Sequence, residues 1–292
     1  MKRPFLTIIC LGLVLFGRCL LLGAQEIELI AGVNNMTFHP DRETTYGKDA
    51  NSTQFEGYPF IFGDFIFRAG IFENTKFIFH IARDNILQNS LNCKLAVNTG
   101  NFNMEFGAFI GISDTFEKPD AGITGSIEFI SPGILMVSLD CSSSLGFQNE
   151  FLGKNHRETA GIKIGFWLPH VIPSFSASVK SFTRQPENSV TIQDELVRLQ
   201  LSGDMFAKNF PLTVRIDCGM EILSRSYKRG NSDTADKLNA IFTGFEAKWQ
   251  VSKPLRIIAG FEMPIFYITA NPMSKPEFSL YKFYGGVAYT LF

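Results

Sequence analysis

The feature that most restricts this chain is an alternation of apolar and polar residues that recurs from Gln25 onward. About fourteen segments of roughly 8–12 residues show it, and almost no stretch shows the 3.6-residue period of a helix. From the third segment on, one face carries no Lys, Arg, Asp or Glu, while the other carries most of the strand charges. The stretch Leu212, Val214, Ile216, Cys218, Met220, Ile222 is typical, with Arg215, Asp217 and Glu221 on the opposite parity. A soluble sandwich also alternates, with its apolar face turned to a core. What separates the two readings is the pattern of connections.

Short turns and longer polar loops follow one another in strict order. The short ones fall at Phe72–Lys76, Thr99–Asn101, Ser131–Gly133, Pro169–Pro173, Phe206–Asn209 and Lys253–Pro254. The longer ones fall at His39–Gly57, Asp84–Asn89, Ser113–Asp120, Gln148–Arg157, Arg184–Asp194, Ser224–Lys237 and Ile268–Glu277. A meander of hairpins crossing a membrane produces this asymmetry, one rim being cropped and the other elaborated. Greek-key crossovers give no reason for it. The fold class expected is therefore all-β, an antiparallel up-and-down transmembrane β-barrel of about 14 strands. Twelve strands follow if the poorly patterned hairpin Tyr58–Ile81 is set aside. No stretch after the first two dozen residues approaches 18 consecutive apolar residues, the length of a helical span.

Residues 1–24 read as a signal peptide, with Lys2 and Arg3 at the start, an apolar region from Leu6 to Leu22, and a small-residue cleavage site ending at Ala24. Residues 25–292 are then a single barrel domain. The leader holds three bases and no acid, so the remainder carries a net charge of −4 where the whole chain carries −1. That balance gives no footprint for nucleic acid. Cys93, Cys141 and Cys218 are widely spaced and odd in number, which is neither a disulfide framework nor a zinc pattern. All three lie on the apolar parity, where cysteine serves as a small hydrophobe. No cofactor and no metal site is expected.

The last segment, Leu280–Phe292, alternates, is aromatic, and places Gly286, Tyr289, Leu291 and Phe292 at the end of the chain. Its Gly-x-x-aromatic-x-hydrophobic spacing resembles the assembly signal on the closing strand of bacterial outer-membrane β-barrels. The chain as a whole resembles porin-like members of that class, and its Phe-rich, apolar character is similar to spirochaetal outer-membrane proteins. The resemblance implies an outer-membrane location with both termini periplasmic. It also implies outer-membrane lipid and the barrel-assembly machinery as partners.

Parity assigns a lumen-facing set. Acids in it include Glu28, Asp64, Glu105, Glu128, Asp140, Asp217, Glu221, Glu246 and Glu262, and bases include Arg68, Lys94, Lys163, Lys180, Arg198, Arg215, Lys248, Arg256 and Lys282, with His80 among them. Fourteen strands enclose more space than side chains fill, which favours a watery passage lined by both signs of charge. The functional expectation is a porin-type transport role, passive diffusion of small polar solutes. The alternative is a closed barrel acting as an adhesin or structural protein through His39–Gly57 and Ser224–Lys237. An enzyme is not expected: barrel proteases resembling this length use Asp-Asp and Asp-His pairs, barrel phospholipases use His and Ser two apart, and neither pattern occurs. His80, with Asp64 or Lys94 as candidate neighbours, reads as a solvated lumen histidine. Trp167 and Trp249 near the short turns, and Tyr267 and Tyr281 near the long loops, sit at the depths of aromatic girdles.

Overall fold

A computed structural model describes residues 25–35, 60–83, 88–113, 119–131, 133–144, 155–187, 190–207, 210–268 and 281–291. Residues 1–24, all of the expected loop His39–Gly57, residues 269–280 and Phe292 lie outside the described residues.

The chain forms fourteen strands. They are β1 Gln25–Asn34, β2 Phe60–Phe72, β3 Thr75–Arg83, β4 Gln88–Thr99, β5 Phe102–Ser113, β6 Asp120–Ile130 and β7 Leu135–Ser143. There follow β8 His156–Phe166, β9 Val171–Glu187, β10 Val190–Ala207, β11 Phe210–Arg229, β12 Ser232–Gln250, β13 Leu255–Tyr267 and β14 Lys282–Leu291. Each pairs antiparallel with its neighbours in sequence, and β1 pairs with β14 from Gln25↔Leu291 to Asn34↔Lys282, closing the sheet. Closure removes both edges and pairs the backbone groups that a lone sheet would leave open. Among the described residues there is no helix. Following the registers once around returns to β1 displaced by about 14 residues, a shear close to the strand number. With strands about 4.8 Å apart and tilted, the backbone cylinder is roughly 25 Å across.

Residues paired across a ladder share a face, so the registers fix which side chains point out. The outward set is apolar and exposed: Leu201 at 63% of its free surface, Ile123, Phe106, Ile216, Trp249, Phe283 and Val287 are examples. It forms a band around the barrel. On β11 the band runs from Leu212 to Ile222, close to the 9–11 residues that a tilted strand needs to cross a hydrocarbon layer. Cys141 and Cys218 lie in this band, exposed.

Strands β9–β12 differ from the others. They are 17, 18, 20 and 19 residues long, against 9 to 13 elsewhere, and they rise beyond the band. Above Val179, Val197, Ile222 and Ile241 the polarity of the two faces is exchanged. Outside come Ser181, Glu195, Ser224 and Asn239. Inside, Phe182, Leu196, Leu223 and Leu238 form an apolar cluster with Tyr267 packed against it. Val190, Ile192 and Tyr227 form another, higher up. Between them Arg225 donates to both carboxylate oxygens of Asp194 at 2.5 and 2.8 Å, the two side chains only 5% and 1% exposed.

This rising wall corrects two expected loops. Of Arg184–Asp194, the residues up to Glu187 belong to β9 and those from Val190 on to β10. Ser224–Lys237 is the end of β11 and the start of β12, joined at Gly230–Asn231 with Gly230 at φ 60°, a geometry that suits a two-residue hairpin turn. Among the polar residues that suggested loops, Gln193, Ser224 and Ser226 lie on the outward face of the sheet, and Asp194 and Arg225 form the buried pair on its inner face. A register shift between Ile241 and Phe242 on β12 likewise corrects Tyr267, which was expected in a girdle. The shift pairs Tyr267 with Ala240 and turns its ring onto the inner cluster. Trp167 and Trp249 are exposed near the short turns, as a girdle requires.

Candidate functional site

Every strand contributes to the interior because alternate residues point there, so the site is the lumen wall. Asp64, Arg68, His80, Lys94, Glu105, Glu128, Asp140, Lys163 and Lys180 all fall on the inward parity of β2–β9. So do Arg198, Arg215, Asp217, Glu246, Lys248, Arg256, Glu262 and Lys282 on β10–β14. The residues expected to form an assembly signal divide between faces: Tyr289 points out and Gly286 points in, where a Cβ would run into the Leu29 carbonyl. Leu291 is the last paired residue, opposite Gln25.

The charges gather into separate groups. Near the short-turn rim, Arg68 and Arg256 reach the same two acids: Arg68 lies 3.3 Å from Glu26, and Arg256 lies 3.4 and 3.3 Å from Glu26 and Glu28. At mid-height His80 Nε2 sits 2.9 Å from Asp64 Oδ1. Lys94 turns instead to Glu105, donating at 3.1 Å. On the opposite wall Arg198 forms a bridge across strands. Its guanidinium lies 4.1 Å from the centre of the Phe242 ring and donates to Glu221 at 3.2 Å and to Glu262 at 3.0 Å. Lys282 completes that group at 3.5 Å from Glu262. Below it Arg215 grips Asp204 through two hydrogen bonds of 2.7 and 3.0 Å. Glu246 takes Lys248 at 2.9 Å and accepts from the Tyr284 hydroxyl at 3.0 Å. Desolvated charges need such multiple partners, because a buried charge left single costs several kcal/mol.

Several members of these groups were absent from the sequence-based set. Asp120 and Arg157 pair at 3.4 Å, with Arg157 lying 4.4 Å from the Phe109 ring centre. Both residues fell at the ends of expected loops. Asp194 and Arg225 were hidden the same way. Glu26, Asp204 and Tyr284 keep strict inward parity with their neighbours, and extending the parity rule to strand ends would have found them.

Among the described residues, two cavities lined largely by polar side chains lie in the interior. The outer one, about 460 Å³, is lined by residues of β1–β4, β6–β11, β13 and β14, among them Asp64, His80, Lys94, Thr159, Lys180, Arg198 and Glu262. The inner one, about 550 Å³, lies on β2–β6 near the short turns and is lined by Arg68, Lys76, Glu105 and Glu128 among others. They abut. His80 lines the first and Ile78, the next inward residue on β3, lines the second; Lys94 and Ala96 on β4 divide in the same way. The β10–β14 wall is occupied by the large paired charges, whereas β5–β9 present mainly small inward residues: Gly107, Thr124, Ser126, Ser138, Ser142, Gly161, Ser174, Ser176 and Ser178. The space inside is thus displaced toward one side. Among the described residues, no group of three or more His, Cys, Asp or Glu is arranged to hold a metal ion.

No protein-family model matches the chain, and no curated protein sequence does. Solved structures with a similar fold include a bacterial polysaccharide outer membrane secretin, at 12% identity over 92% of this chain and 98% of that one, TM-score 0.44. An outer membrane channel from Pseudomonas putida F1 is similar at 9% identity over 92% and 96%, TM-score 0.47. A loop-deletion mutant of OmpT, an outer membrane protein of Vibrio cholerae, is similar at 8% identity over 92% and 99%, TM-score 0.42. At such identities and TM-scores the likeness carries no functional argument.

Proposed function

We propose that this chain is an integral outer-membrane β-barrel that lets small polar solutes diffuse through its lumen. The observation that carries the reading is the pair of abutting polar cavities, 460 and 550 Å³, inside a closed barrel. An apolar band wraps that barrel on the outside. An exposed band of Leu, Ile, Phe and Val is unfavourable in water and favourable in lipid, at roughly 25 cal/mol per Å². The polar interior is the reverse, stable when wet. Solutes would pass between walls bearing both signs of charge, with selectivity set by size and by whichever charges lack close partners. The short turns would face the periplasm, and β9–β12 would rise from the outer surface.

The test is electrical. Refolded protein, shown to be folded by heat-modifiable migration, is added to a planar bilayer. Discrete conductance steps are expected. Protein that inserts and stays silent would overturn the pore reading and leave the closed, surface-binding barrel in its place.

A further inference from the structure

Two inward charges of opposite sign, Asp140 on β7 and Lys163 on β8, are close neighbours on the lumen wall and do not pair. The register sets Asp140 against Gly161 and Ser138 against Lys163, so the two lie diagonally on one face, with Cα atoms about 7–8 Å apart. Among the described residues, neither makes a hydrogen bond or an ion pair. The charges that act most on Lys163 are Arg215, Asp204, Glu128 and Lys248, and each is engaged elsewhere. Arg215 grips Asp204, Lys248 pairs with Glu246, and Glu128 accepts from Asn103 at 2.8 Å. Asp140 points inward and is nevertheless exposed, so it faces open lumen. Its carboxylate lies over Gly161, where a Cβ would strike it. Around Lys163 the wall is low. Gly161 and Gly165 flank it on β8, Ser138 faces it on β7 and Ser176 on β9, with Ser174 and Ser178 on either side of Ser176.

We propose that this patch is a binding site for small zwitterions of the α-amino-acid kind. The proposal rests on the lumen being open to solutes and specifies which of them it holds. An ammonium only donates and an ionised carboxylate only accepts, so Lys163 takes the carboxylate of the solute and Asp140 its ammonium. An α-amino acid carries both groups on one carbon, which lets one small molecule meet two charges on adjacent strands. A simple anion drawn to Lys163 meets like charge at Asp140, and a simple cation drawn to Asp140 meets like charge at Lys163. The serine hydroxyls both donate and accept, so they complete the hydrogen bonds of either group.

Calorimetric titration of the refolded full chain in detergent tests the site separately from conduction. The probes are L-serine, L-glycerate, in which a hydroxyl replaces the ammonium, and ethanolamine, which lacks the carboxylate. L-Serine is expected to bind at least about tenfold more tightly than either, the difference one charge-assisted hydrogen bond supplies. Asp140→Asn should remove most of the preference over L-glycerate and keep the preference over ethanolamine. Lys163→Gln should do the reverse. Heat-modifiable migration checks that each variant folds, and the comparison of the three probes on the unaltered chain stands without them. Equal affinity for the three probes, no binding of L-serine, or unchanged preferences in either folded variant would overturn the proposal. A barrel that conducts without binding L-serine loses the site alone. One that binds L-serine and never conducts would overturn the pore reading and leave the site standing.

Discussion

The lower and upper halves of the hairpin β10–β11 are built by opposite rules. Below Val197 and Ile222, Leu199, Leu201, Met220 and Cys218 point outward, and Arg198, Glu221, Asp217 and Arg215 point inward. Above them, Glu195, Gln193, Ser224 and Ser226 point outward, and Leu196, Ile192, Leu223 and Tyr227 are buried inward. The backbone ladder continues through the exchange in unbroken register from Thr191↔Lys228 to Met205↔Val214. Hydrogen bonding alone therefore does not distinguish the halves. In the proposed membrane setting the surroundings do: lipid outside and water inside for one half, water outside and a packed interior for the other. Period-two geometry serves both, because only the meaning of the two faces changes.

Removing the Asp194 carboxylate should give the largest effect on this contrast. Asp194→Ala strips the buried Arg225 of its two-pronged partner and is expected to cost about 3–5 kcal/mol. The loss should appear in the upper half, as faster amide hydrogen exchange near Arg225 and Tyr227, while heat-modifiable migration of the barrel persists. If the whole barrel unfolds instead, the two halves are one cooperative unit. Leu223→Ala follows. It empties a fully buried site in the upper cluster and should cost about 2–5 kcal/mol. The same change at Leu201, which is mostly exposed on the band, should cost much less in urea unfolding of the lipid-embedded protein.

A charge scan comes next and places the boundary. Leu201→Arg, near the middle of the band, should cost about 2–4 kcal/mol in lipid-embedded unfolding, and Ser224→Arg, just above it, about 0–1. Equal costs at the two positions would mean that the exchange of polarity does not mark a water–lipid boundary. The smallest effect is expected within the lumen. Lys94 and Glu105 are 20% and 32% exposed, and pairs so open to water contribute about 0–1 kcal/mol. Lys94→Gln should leave stability nearly unchanged and shift ion selectivity in reversal-potential measurements.

Strand number and closure were legible in the sequence because lipid and lumen impose opposite polarity on adjacent residues. The upper halves of β9–β12 were not. Ser224, Arg225, Ser226, Tyr227 and Lys228 have the composition of a loop, and the alternation within them pairs polar residues with a buried ion pair and a tyrosine. A search for a charge-free face rejects such a stretch although it is a strand. The candidate site divides similarly. Parity placed the expected lumen residues, since side-chain direction is local. Which charge meets which was not readable, because Arg198 reaches Glu262 across two intervening strands by lying over Phe242. Of two candidate neighbours for His80, the register and the competing attraction of Glu105 for Lys94 selected Asp64.

In the proposed membrane setting the exchange of polarity would also work as a depth stop. Were the barrel to sink by one outward-facing step, Glu195, Ser224 and Asn239 would enter hydrocarbon together on adjacent strands. Were it to rise by one, Val197, Ile222 and Ile241 would emerge into water. Both displacements are opposed on the same side of the barrel, at the level where the long wall leaves the band. A uniform cylinder accommodates a thicker or thinner bilayer by sliding or tilting at modest cost. In the proposed membrane setting this one would be held at a fixed height along β9–β12, so a change in membrane thickness would be taken up by tilt about that wall, with the short-stranded side β2–β8 moving most.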